Sequence, residues 1–165
     1  MESPAPQTAQ GLANPAISRW LMIATYVVAG SGLAIGMWAL SASSPPSLSL
    51  AALLAIGGGG ILSFFRHAVF HRSDAVRMGW DYGRTNAFQI ETGIANLAWG
   101  LVAVLAVVFA WGLAVEAATF LVFGVYMIGA AVAQVIYKRG IPMAVLSLAF
   151  GAMLAYVGLA GLAAA

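Results

Sequence analysis

Two histidines, His67 and His71, stand four residues apart in a stretch from Phe64 to Gly100. The same stretch carries Arg66, Arg72, Arg77, Arg84, Asp74, Asp81 and Glu91, while the rest of the chain is almost free of ionisable groups. Chemistry or partner contact is therefore expected here. A helical i, i+4 histidine pair can supply two ligands to one metal, but a stable site needs further donors, and only one carboxylate, Glu91, suggests itself. We assign no metal; histidines that cap the end of a helix explain the pair at least as well. Two histidines one turn apart cannot ligate opposite faces of one haem, and the chain has no third histidine. Cysteine is absent, which removes disulfides, Cys-based metal sites and thiol nucleophiles. There is no nucleophile elbow, P-loop, dinucleotide fingerprint or His-Glu-x-x-His. Hydrolase and nucleotide-driven functions have no support, no catalytic residue is assigned, and the cofactor stays unknown.

Composition sets the solvent around these groups. Of 165 residues, 62% are hydrophobic and 7% charged, with mean hydropathy +0.95. Soluble domains carry roughly 25% charged residues, so this surface must face lipid. The expected class is an all-α integral membrane bundle. A span needs about 20 mostly apolar residues, and five fit, at 17–40, 48–71, 88–110, 117–137 and 142–163. Ser41–Ser47 and Trp111–Glu116 read as short turns, and Ser73–Asn86 as the one long connection. Residues 1–16 read as a disordered tail without the basic start of a signal peptide, and 17–165 as a single transmembrane domain. Arg19, the loop after span two and the Lys138–Arg139 pair after span four all lie on one side, while the alternate turns carry no basic residue. The positive-inside rule then puts the N-terminus in the cytoplasm and the C-terminus outside, in a bacterial inner membrane. The pI near 9.3 rests on a net charge of only +2 beside the spans. That charge reads as topology, with no nucleic-acid partner expected.

Helical spacing sorts the polar residues onto faces. Gly57, Gly60, Phe64, His67 and His71 form one stripe; Gln89, Gly93, Asn96 and Gly100 a second; Gly124, Met127, Ala131 and Gln134 a third. Small-residue stripes are packing faces in membranes. The threading brings His67, His71, Gln89, Glu91, Asn96 and Gln134 into the cytoplasmic half of the bilayer. They are expected to face one polar pocket with the long connection as its lid. Glu91 would be a proton acceptor or ligand anchor there; alternatively it pairs with a histidine or arginine, or sits in a first turn favoured by the helix dipole. Gln134 reads equally as interhelical glue. Arg66, Arg72, Arg77 and Arg84 hold topology, partly paired with Asp74 and Asp81, or hold lipid phosphates or an anionic substrate. Trp80 and Tyr82 read as interface anchors. The four glycines Gly57–Gly60 predict a helix that is bent or locally unwound against a neighbour.

Met78-Gly79-Trp80, followed by Phe88-Gln89-x-Glu91-x-Gly93-x-Ala95-Asn96-Leu97-Ala98-x-Gly100, resembles the signature of a poorly characterised family of small bacterial membrane proteins. The arrangement is remotely similar to the DoxX-like four-helix proteins, some of which are subunits of quinone-linked oxidoreductases. The resemblance implies that His67, Gln89, Glu91 and Asn96 are key positions, without naming a reaction. The expected role is a non-catalytic accessory or scaffold subunit of a membrane complex, or a homo-oligomer, with lipids, copies of itself and other membrane subunits as partners. One alternative is a site for a quinone, lipid or other amphiphile with redox or proton chemistry. Another is a small transporter whose glycine run forms a discontinuous helix.

Overall fold

A computed structural model of the chain describes residues 13–79, 87–136 and 141–165. Among the described residues all regular structure is helical. The helices are α1 (Pro15–Ala42), α2 (Ser49–Val69), α3 (His71–Met78), α4 (Ala87–Val108), α5 (Leu113–Ile136) and α6 (Ile141–Ala163). All but α3 are long and apolar enough to cross a membrane, so the five expected spans are present. Five such helices are consistent with a multi-pass membrane protein.

Helix ends depart from expectation in three places, each for a local reason. α1 begins at Pro15, inside the stretch read as tail. Asn14 caps it by accepting the Ala16 N–H at 2.9 Å, and proline suits the first helical position. α5 begins at Leu113 because Ala110 and Gly112 take positive φ values of 49° and 93° and close the turn tightly. Glu116 therefore lies in the first turn of α5, where the helix dipole favours an acid. It is 5% exposed and accepts a hydrogen bond from Ser49 Oγ at 2.7 Å. The long connection after α2 opens with a further helix, α3, which ends at Gly79 with φ 71°.

The glycine run of α2 stays helical: Gly58 has φ −63°, ψ −46° and Gly59 has φ −58°, ψ −45°. It is not a break, and the discontinuous-helix argument for a transporter lapses with it. The four glycines instead serve two neighbours at once. A Cβ on Gly58 would meet Val28 of α1 at 2.7 Å, and one on Gly59 would meet Ala29 at 3.1 Å. A Cβ on Gly57 would meet Val104 of α4 at 2.9 Å, and one on Gly60 the Asn96 carbonyl at 2.5 Å. Lipid supplies no hydrophobic drive for helix association, so close backbone approach must supply the dispersion contacts. α5 and α6 pair in the same way, with Gly124, Gly151 and Gly158 each seated against the partner's backbone.

Polarity is divided by depth. Leu33, Leu48, Ile56, Phe120, Leu154 and Val157 form an apolar core towards one end of the bundle. The other end, which the positive-inside rule assigns to the cytoplasm, receives the start of α1, the end of α2, α3 and the start of α4.

Candidate functional site

The end of α2 widens into a π-helical turn over Phe65–Val69. The Phe70 N–H reaches back five residues to the Phe65 carbonyl at 2.8 Å, and Phe70 then leaves the helix at φ −101°, ψ 31°. α3 starts afresh, with the Asp74 N–H donating to the Phe70 carbonyl at 3.0 Å. Single π turns inside helices often mark functional positions because they re-aim the side chains that follow. Here the turn carries Arg66 and His67, and the break after it brings Asp74 back beside them.

Asp74 is the node of the site. It is 2% exposed, and donors come to it from four helices. Oδ1 accepts from the Ser18 hydroxyl of α1, from Arg77 Nη2 at 2.9 Å and from Arg77 Nε at 3.2 Å. Arg77 Nε also lies 3.0 Å from Ser18 Oγ. Oδ2 accepts from Gln89 Nε2 of α4 at 2.8 Å and faces His67 Nδ1 of α2 at 3.1 Å. Arg66 Nε stands 3.8 Å from Oδ1, an ionic contact too long to be a hydrogen bond. Arg66 Nη2 bonds His67 Nε2. A guanidinium only donates, so Nε2 must offer its lone pair and the imidazole proton sits on Nδ1, pointing at Oδ2. His67 is thereby fixed as a neutral relay between Arg66 and Asp74. Burial alone would push the Asp74 carboxyl up. The hydrogen bond from His67, the Arg66 charge and the Ser18 hydroxyl outweigh it and hold the carboxyl well below the usual carboxylate range.

The structure thus gathers His67 and Gln89 with Arg66 and Arg77, and leaves the other singled-out residues elsewhere. His71 is the first residue of α3. Its Nδ1 bonds the Ala68 carbonyl at 2.9 Å, one of those freed where α2 ends, and its Nε2 is buried without a hydrogen-bond partner. The break at Phe70 means the i, i+4 spacing of His67 and His71 is not carried on one continuous helix. Among the described residues no group of three His, Cys, Asp or Glu side chains could hold a metal. Asn96 is buried one layer deeper, donating to the Thr92 carbonyl at 2.7 Å and meeting the Tyr126 phenol. Gln134 donates to Ser147 Oγ of α6 at 3.2 Å, which makes it interhelical glue. Glu91 is exposed on the outer face of α4, two residues past Gln89 and so about 200° around the helix from it. Arg72 is half-buried on α3. Arg84, Asp81, Trp80, Tyr82 and the rest of residues 80–86 lie outside the described residues; the first part of the expected lid, from Ser73, is α3, with Ser73, Asp74 and Ala75 buried.

Sequence reasoning placed Asp74 on a loop and passed over Ser18. Signals for both were present. Ser18 continues the small-residue face of α1 that runs through Thr25, Ala29, Gly32 and Gly36 at steps of three, four and seven. Asp74 has Arg77 three residues on and a stop glycine at Gly79, the pattern of a short helix. What no periodicity could supply was the π turn, which moves every side chain after it off the 3.6-residue stripe.

Residues 16–140 match the DUF6790 family, a family of unknown function, and the chain belongs to it. No curated protein and no solved structure matches the chain.

Proposed function

We propose, for this member of a family of unknown function, a non-catalytic role: a small membrane protein that works by lateral association with a second copy of itself. The observation that carries the non-catalytic half is the state of the Asp74 carboxylate. Both its oxygens are taken by donors from the same chain, and His67, the natural proton carrier, is locked between Arg66 and Asp74. Side chains so committed to one another hold helices together, and a general acid or base needs a free lone pair or proton.

The association half is supported by two glycines that no helix of this chain covers. A Cβ added at Gly30 or Gly129 would meet nothing within 4 Å. A mid-helix glycine costs about 1 kcal/mol relative to alanine, and the others on the spans return that cost through close packing. Gly129 lies on an exposed face of α5 between Val125 and Val132. Because the chain has no cysteine, Gly129→Cys provides a unique crosslinking handle. Mild oxidation in native membranes should give a disulfide-linked dimer, and Val108→Cys, at the other end of an exposed face of α4, should not. Gly129→Cys remaining monomeric under conditions that oxidise a free surface thiol would remove the self-association reading.

A further inference from the structure

The charges in the Asp74 cluster do not balance. Arg66 and Arg77 bring two positive charges, Asp74 brings one negative charge, and His67 is held neutral by its tautomer. Asp81, the other aspartate, lies outside the described residues, so the count is of the described groups. Arg77 has two hydrogen bonds to the carboxylate; Arg66 has none. The Arg66 side chain is 15% exposed, its Nε is buried without a hydrogen-bond acceptor, and it stops 3.8 Å short of Asp74. A guanidinium removed from water and only partly paired is costly. Arg66 is three residues from the end of α2, about 5 Å along a helix. The positive-inside rule would set that end of the bundle beside the phosphates of the cytoplasmic leaflet.

We propose that Arg66 holds a phosphate group at the cytoplasmic end of the bundle through the Nη that His67 does not use, while Nη2 stays on His67 and the buried Nε keeps facing Asp74. The bound charge is the counter-ion that Asp74 alone does not provide. A lipid headgroup and a free phosphate share this chemistry, and the guanidinium fork suits either. The inference rests on the cluster and is independent of lateral association.

Native mass spectrometry of the whole protein released from a neutral detergent tests it. Three probes separate the sources: a phosphatidylglycerol, the diacylglycerol of the same chains, and inorganic phosphate read by thermal shift. The expected result is one phosphatidylglycerol retained about tenfold better than the diacylglycerol, as one charge-assisted pair would give. That preference should vanish in Arg66→Gln and partly return in Arg66→Lys. A thermal shift with inorganic phosphate, absent in Arg66→Gln, would assign the site to a free phosphate. Equal retention of the two lipids by the wild-type protein, with no phosphate shift, overturns the proposal and needs no variant to fold. An undiminished phosphatidylglycerol preference in folded Arg66→Gln overturns it as well.

Discussion

Asp74 is held ionised by partners from four helices, and that has a consequence for acid stability. Its pKa in the folded protein lies below the value of about 3.9 that an unperturbed aspartate shows. A depressed carboxylate stabilises the fold above its unfolded pKa, and the contribution fades as pH falls through that value towards the folded one. Asp74→Asn removes the charge and leaves Arg66 and Arg77 buried without it, a loss of roughly 3–5 kcal/mol for breaking a buried pair. The gap in melting temperature between wild type and Asp74→Asn should therefore be wide at neutral pH and close progressively below about pH 4. A gap unchanged between neutral and acid pH would mean that the fold does not depress the Asp74 pKa. Ser18→Ala should act in the same direction and less strongly, about 1 kcal/mol, because it removes one hydroxyl donor and no charge.

At the scale of helices, the glycines of the spans divide into those that are needed for contact, such as Gly60 of α2, and those that are not, such as Gly30 of α1. A methyl at Gly60 would lie 2.5 Å from the Asn96 carbonyl and 2.9 Å from Gly100 Cα, both backbone atoms that cannot rotate away. Gly60→Ala should cost at least about 1–3 kcal/mol through overpacking. Gly30→Ala meets open space and should be neutral or stabilising by about 0.5–1 kcal/mol in the isolated monomer. Thermal unfolding in detergent separates the two, and equal losses would contradict the α2–α4 contact. The existence and number of spans were legible because each is a long apolar run set off by turn residues such as Pro45 and Pro46. The glycine stripes marked faces that touch other helices at Gly32, Gly57, Gly60, Gly93, Gly100 and Gly124, but Gly30, expected on the packing stripe of the first span, meets no neighbour. Of the irregularities of α2, the π turn over Leu53–Gly58 includes Gly57 and Gly58, where the glycine run predicted local unwinding, while the π turn over Phe65–Val69 and the break at Phe70 were not legible. Nothing in Phe-Arg-His-Ala-Val distinguishes a π turn from an α turn.

Over the whole molecule, the threading did more than the stripes to locate the site. Charge asymmetry between loops placed Arg66, His67 and Gln89 at one end of the bundle, and there they meet. It also brought Glu91 to the same depth, but depth does not settle which way a side chain points. Glu91 faces outward on α4 while Asp74, read as a loop charge, sits at 2% exposure among its partners. The bundle therefore has an apolar core at one end, a polar clasp of α1, α2, α3 and α4 at the other, and a glycine-zipped α5–α6 pair alongside. The central claim is that Asp74, and not Glu91, is the carboxylate on which that architecture depends. The most direct test compares melting temperatures of Asp74→Asn and Glu91→Gln in one neutral detergent at neutral pH. Asp74→Asn should lower the melting temperature by several degrees, at about 2–4 °C per kcal/mol, and Glu91→Gln, at an exposed position, by no more than about 1 °C. A loss in Glu91→Gln equal to or larger than that in Asp74→Asn would contradict it.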